Sequence, residues 1–252
     1  MKDRIEKRPE IRVVQPGGRS GSVAVPSSKS QLHRLLICAA LGDAPAEIVC
    51  RGIPEDVRAT MRCLNALGAK IEEIADGGDS SCKEQLLRVR PLDRSVRFDG
   101  AVLDCGGSAS TLRFLLPIAG MLGVSCTFMR SGRLPERPLA PYAAQLRANG
   151  MYIREEGPLL SVSGRLSGGE YVLPGNISSQ FISGLLMAMG GFQGHSSLRV
   201  EGAMESTHYV RMTETVLREA GIRFEKEETL SEGGMPVTVW TSGDHPANLC
   251  PS

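Results

Sequence analysis

The chain has 252 residues, 41% of them hydrophobic and only 4% aromatic, with 29 basic and 28 acidic side chains for a net charge of +1. That length holds one large domain or two small ones, and the apolar fraction is enough for a buried core. The charge balance excludes recruitment to nucleic acid or membrane by a bulk field, and so few aromatics argue against base-stacking modules. Any anion selectivity must come from local clusters. Seven cysteines (38, 50, 63, 82, 105, 126 and 250) form no CxxC pair and are odd in number, the usage of a reducing, cytoplasmic compartment.

In chain order, Met1–Glu10 is charged and lacks the apolar core of a secretory signal. Ile11–Gln15 reads as a strand, and Gly17-Gly18-Arg19-Ser20-Gly21 as a turn without the downstream helix of a dinucleotide fingerprint. A strand-like run, Ser22–Val25, then stops at Pro26-Ser27-Ser28-Lys29-Ser30-Gln31-Leu32-His33-Arg34, where an apolar helix begins. Serine caps a helix because its oxygen accepts a hydrogen bond from an amide of the first turn. The remaining free amides and the positive dipole end attract anions, to which Lys29 and Arg34 add charge. The same residues also make an ordinary capped helix with solvent-facing basic side chains.

Two further loop-to-helix starts match this one: Ser108-Ala109-Ser110 and Ser178-Ser179-Gln180. Each start is followed at the same offset by a leucine pair, Leu35-Leu36, Leu115-Leu116 and Leu185-Leu186, and then by glycine. A second landmark, Leu-x-x-x-Gly, recurs at Leu64 to Gly68, Leu146 to Gly150 and Leu217 to Gly221, and reads as a helix end with a left-handed glycine cap before a strand. The first landmark is spaced by 80 and 70 residues (28 to 108 to 178) and the second by 82 and 71 (68 to 150 to 221), so the chain carries a threefold internal repeat. Each unit predicts strand, Ser-capped helix, strand, second helix and one or two strands. Second helices are expected at Glu55–Leu67, Leu139–Asn149 and Thr207–Ala220, and Pro117 should kink the middle unit's first helix. The fold class is α+β, with three βαβαββ-like units around a pseudo-threefold. Residues 1–22 form an N-terminal strand and hinge, 23–240 one lobe (units of about 23–95, 96–170 and 171–240), and 241–252 a tail. Three helix starts aimed at one volume would make an anion site that needs no excess net charge.

The longest apolar stretch, Leu112–Leu122, contains Arg113 and is too short to span a bilayer. His33, His195, His208 and His245 lack metal-ligand spacing, and no metal is expected. Arg113, inside an apolar helix, can equally satisfy a buried carbonyl or meet a ligand, and Arg137 before Pro138 can cap or pair locally. The Glu225–Glu228 run reads as a solvated strand end.

With the repeat in view, five ordered motifs resemble the enolpyruvyl transferase family, in the branch that acts on shikimate 3-phosphate. They are Val25-Pro26-Ser27-Ser28-Lys29-Ser30-x3-Arg34, Asp104-Cys105-Gly106-Gly107-Ser108-Ala109-Ser110-Thr111-Leu112-Arg113, Arg133-x3-Arg137-Pro138-Leu139, Ile177-Ser178-Ser179-Gln180-Phe181 and Glu205-Ser206-x2-Tyr209. The resemblance implies one lobe of an inside-out α/β barrel and transfer of the enolpyruvyl group of phosphoenolpyruvate to the 5-hydroxyl of shikimate 3-phosphate, without a cofactor. By this resemblance Lys29 sits between the two substrates as the one catalytic candidate, and Ser30 and Arg34 hold the shikimate part. Ser178, Ser179 and Ser206 bind its phosphate, Gln180 touches both substrates, Tyr209 packs beside the shikimate, and Arg133 clamps phosphoenolpyruvate. Ala109 stands where the family usually has glycine beside phosphoenolpyruvate, so its methyl is expected to crowd that pocket and to disfavour a bulkier mimic such as glyphosate.

The family has two such lobes with the acid and base carboxylates in the second. The chain is therefore expected to be a first lobe, truncated or with a separately encoded partner lobe, and inactive unaided. Two rivals follow. The sister transferase acting on UDP-N-acetylglucosamine usually carries a cysteine before its Arg-Pro, absent from Ser131–Glu136. A non-catalytic lobe would hold shikimate 3-phosphate and turn nothing over.

Overall fold

The computed structural model describes residues 13, 16–18, 20–74, 84–93, 95–96 and 98–242. The expected strand Ile11–Gln15 (except Val13), the tail 243–252 with His245, and Cys82 and Cys250 lie outside the described residues.

Unit one contains α1 (Lys29–Leu41), β1 (Ala46–Cys50), α2 (Glu55–Ala66), β2 (Lys70–Ile74) and β3 (Gln85–Arg90). Unit two contains β4 (Ala101–Gly106), α3 (Ala109–Leu122), β5 (Cys126–Arg130), a 3-10 turn (Leu134–Glu136), α4 (Tyr142–Ala148), β6 (Met151–Glu156) and β7 (Leu159–Gly164). Unit three contains β8 (Glu170–Pro174), α5 (Ser179–Met189), β9 (Ser196–Glu201), α6 (Thr207–Glu219), β10 (Phe224–Leu230) and β11 (Pro236–Ser242). The sheets repeat with the units. Their strand orders are β1-β3-β2, β4-β5-β7-β6 and β8-β9-β11-β10, with β4/β5 and β8/β9 parallel and the other pairs antiparallel.

Units two and three are thus complete βαβαββ modules, and unit one lacks its first strand. The expected strand Ser22–Val25 is a correction: these residues enter no ladder, and Val23 and Val25 are exposed. The segment touches the sheet at Ser27, whose N–H donates to the Arg51 carbonyl at 2.9 Å. A strand needs a paired neighbour, and Pro26 removes one donor beside it. A second correction concerns α4, expected from Leu139, which begins at Tyr142 because Pro141 stands at its N-cap.

Glycines 68, 150 and 221 have φ of +99°, +106° and +81°. Each ends a unit's second helix in the left-handed region, where a Cβ is disfavoured, so the Leu-x-x-x-Gly landmark has one backbone cause throughout. The helices close a ring: α1 packs on α2, α2 on α3, α3 on α5, α5 on α6 and α6 on α1. Second helices bridge units, since α2 contacts β2 and β4 while α4 contacts β6 and β8. The repeated leucine pairs fill the centre, with Leu36, Leu115, Leu116, Leu185 and Leu186 fully buried. Burial of each such side chain contributes roughly 1.5–3 kcal/mol. Cys38, Cys50, Cys63, Cys105 and Cys126 are free and buried, and burial pushes the Cys38 and Cys126 thiols up to about 12, which leaves them protonated and unreactive.

Pro117 lies inside α3 and cannot donate to the Arg113 carbonyl one turn earlier. That carbonyl instead accepts the Tyr142 hydroxyl at 3.0 Å, and Tyr142 is fully buried. Tyr142→Phe should leave the carbonyl unpaired and lower stability by about 1–3 kcal/mol in urea unfolding. An unchanged midpoint would mean that another donor serves it.

Candidate substrate-binding site

All three capped starts behave alike. Ser28, Ser108 and Ser178 have extended backbones, and their Oγ atoms accept from the N–H of Gln31 (3.3 Å), Thr111 (3.2 Å) and Gln180 (3.3 Å). The starts of α1, α3 and α5, with that of α6, meet at one cavity of about 380 Å³. Lys29, Ser30 and Arg34 reach it from α1, Ser110 and Arg113 from α3, Ser178 to Gln180 from the α5 start, and Ser206 and Tyr209 from the α6 start. The convergence follows from the helix ring, which turns equivalent ends of successive first helices to one side.

Lys29 Nζ forms an ion pair with Asp56 Oδ2 at 2.8 Å, both half-exposed, so the ammonium is within reach of an incoming anion. Gln180 is held at both ends of its amide: Oε1 accepts from Arg113 Nη1 at 2.8 Å and Nε2 donates to Ser110 Oγ at 2.9 Å. Ser206 is the one non-glycine residue with positive φ among the described residues (φ 55°, ψ 44°), and its hydroxyl makes no cap bond. A serine in that region costs about 1–2 kcal/mol, a strain typical of sites that present a side chain to a ligand.

Arg34 is 2% exposed, and burial lowers its guanidinium to about 10. Its Nε donates to Thr213 Oγ1 at 2.6 Å, Nη1 to the Ser30 carbonyl at 2.6 Å, and Nη2 to Ser183 Oγ at 3.0 Å and the Tyr209 carbonyl at 3.2 Å. One of its five N–H groups is left over, so Arg34 chiefly ties α1 to α5 and α6 beneath the cavity. Behind it runs a buried polar chain in which His33 Nδ1 bonds Thr60 Oγ1 (2.7 Å), Thr60 bonds Thr111 Oγ1 (2.8 Å), and Thr111 donates to Ser108 Oγ (2.7 Å).

Two expected residues do not join the cavity. Arg133 precedes the 3-10 turn, its side chain is 89% exposed, and its Nε lies 3.6 Å from Glu136, the nearest charge along the turn. Ala109 is the first residue of α3, and its methyl packs into the core instead of the cavity wall. Two residues that sequence reasoning left open do join it, Arg113 and Arg137. The signal was present, since Arg137 belongs to the Arg-x3-Arg-Pro motif and Arg113 is a lone charge in an apolar helix. Among the described residues no group of three His, Cys, Asp or Glu side chains is gathered for a metal, and no helix is long and apolar enough to cross a membrane.

A serine-lined, cationic cavity at converging helix starts on a threefold βαβαββ frame is matched by one family model over residues 13–237, described as EPSP synthase (3-phosphoshikimate 1-carboxyvinyltransferase). The chain belongs to the EPSP synthase family. The 3-phosphoshikimate 1-carboxyvinyltransferase of Clostridium beijerinckii is 36% identical over 218 residues, covering 83% of this chain and 48% of the relative. That of Clostridium perfringens strain SM101 is 33% identical over 245 residues, 92% of this chain and 55% of the relative. The solved EPSP synthase of Acinetobacter baumannii shares the fold, with a TM-score of 0.66 and 24% identity over 86% of this chain and 46% of that one. The chain spans about half the length of the EPSP synthase relatives it matches.

Proposed function

We propose that this chain binds shikimate 3-phosphate in the cavity where its helix starts meet and serves the transfer of the enolpyruvyl group of phosphoenolpyruvate to the 5-hydroxyl of that substrate, with release of phosphate. The observation that carries the reading is the meeting of Lys29, Ser178, Ser179, Gln180 and Ser206 at one cavity of about 380 Å³ in a member of this family. Free first-turn amides and the Ser178, Ser179 and Ser206 hydroxyls suit a phosphate, Ser30 and the remaining Arg34 donor suit the ring substituents, and Tyr209 offers a flat side wall. Lys29, exchanging Asp56 for substrate, supplies a point charge between the two anions.

The reaction adds the 5-hydroxyl to C2 of phosphoenolpyruvate while C3 takes a proton. It then expels phosphate as C3 gives the proton back. Both steps need a proton donor and a base. Glu205 is the one carboxylate among the described cavity-lining residues, so proton transfer calls for groups outside them. A second lobe, as part of a longer chain or as a separate chain, is the partner this implies, and the cytoplasm is the compartment.

Titration calorimetry with shikimate 3-phosphate, beside a phosphate-release assay, tests the reading. Binding without release favours a lobe that needs its partner, and absence of binding overturns the substrate assignment. Lys29→Met should weaken both substrates at least tenfold, since a charge-assisted hydrogen bond is worth roughly 1.5–3 kcal/mol. Unchanged affinities would remove Lys29 from the site.

A further inference from the structure

We propose that Arg113 and Arg137 form the specificity-determining pair of this cavity, selecting a ligand that bears a phosphate dianion over the same ligand without it. The proposal rests on the substrate reading above and extends it to two residues that reading leaves unused.

Both guanidinium groups wall the same cavity. Arg113 meets neutral oxygens there, Gln180 Oε1 at 2.8 Å and Ser178 Oγ at 3.5 Å, and its guanidinium lies 4.8 Å over the Phe181 ring. Its Nε is buried without a hydrogen-bond partner. Arg137 is exposed and makes no side-chain hydrogen bond or ion pair among the described residues. Glu205, which also lines the cavity, engages neither.

Elsewhere this protein satisfies its buried arginines within the fold. Arg130 is 3% exposed and is paired with Glu155 at 2.9 Å, with the Gly157 carbonyl at 2.8 Å beside it. Arg34, with neutral partners only, still places four of its N–H groups on protein oxygens, whereas Arg113 leaves its buried Nε unpartnered and has the charge of Arg137 near it. Burial first, and the charge of Arg137 second, hold the Arg113 guanidinium below its usual value. An arriving dianion removes that conflict and satisfies forked donors on both residues, while a neutral hydroxyl in the same place does neither. Position is well defined, because the Tyr142 hydroxyl holds the Arg113 carbonyl and the Phe181 ring supports its guanidinium.

The test is calorimetry of the unaltered chain, Arg137→Met and Arg113→Met with shikimate 3-phosphate, shikimate, phosphoenolpyruvate and inorganic phosphate. Arg137→Met should bind shikimate 3-phosphate at least tenfold more weakly and shikimate within twofold of the unaltered chain, with Arg137→Lys recovering part of the loss. The Arg137 side chain is exposed and makes no hydrogen bond or ion pair among the described residues, so this variant keeps the fold even if Arg113→Met does not. Equal weakening of shikimate and its phosphate overturns the proposal, as does an effect confined to phosphoenolpyruvate or no effect in either variant. Undiminished shikimate 3-phosphate binding by both variants sinks the pair and leaves the substrate reading standing. Inorganic phosphate bound through Arg137, with neither shikimate ligand bound, sinks the substrate reading and leaves the pair standing.

Discussion

Gly184→Ala is expected to destabilise the chain by about 3 kcal/mol, although alanine is the better helix former by about 1 kcal/mol. Gly184 lies inside α5, where α5 crosses α3. A Cβ there would overlap the Arg113 carbonyl and stand 2.7 Å from the Tyr142 hydroxyl. Those are the two atoms whose hydrogen bond compensates for Pro117. Forcing the helices apart incurs overpacking of about 1–3 kcal/mol, and breaking that bond in the interior costs about 1–3 kcal/mol more. These losses outweigh the propensity gain. Urea unfolding of the variant measures the difference, and a midpoint at or above that of the unaltered chain would show that α3 and α5 do not approach so closely.

Stability should also fall by up to about 3 kcal/mol between pH 6.5 and pH 4 through His33 alone. His33 is fully buried, and its pKa is lowered from 6.5 to about 4, chiefly by burial. Asp56 opposes the shift, while Lys29 and Arg34 add to it. Its Nε2 has no partner, and its Nδ1 is committed to Thr60. Between those two values the unfolded chain holds the imidazole proton and the folded chain does not. His33 therefore contributes its full stability above pH 6.5, and that contribution disappears as the pH falls toward 4. Unfolding free energies of the chain and of His33→Gln, measured across that window, should diverge by this amount. Parallel profiles would place the imidazole in contact with water.

Much of the repeat was legible because it is written in short-range hydrogen bonds. A serine two or three residues before an amide it can cap, a leucine pair at fixed offset, and a glycine where φ must be positive each depend on near neighbours in the chain. The limits of α2 and α6 accordingly came within one residue of those observed. Ser22–Val25 failed by the same logic, since a strand is defined by a partner and no neighbouring residue can report whether one is there. Arg133 and Arg137 share one motif, and the motif is silent on which of them turns along the 3-10 turn and which turns into the cavity. Arg34 carries a second task, tying α1 to α5 and α6, that no local pattern reports. Thr213 and Ser183, which hold it, lie more than 140 residues away along the chain.

By itself the amino-acid sequence determined three serine-capped helix starts, the glycines that end each unit's second helix, and a supply of hydroxyls and cations suited to polyanions. Only the tertiary structure decided that the starts share one cavity, that Arg113 and Arg137 both line it, and that Ser206 is held in a left-handed conformation. The reason is range. Capping and turn formation act over three or four residues, whereas the ring of helices that gathers the site is set by side-chain packing between units some seventy residues apart.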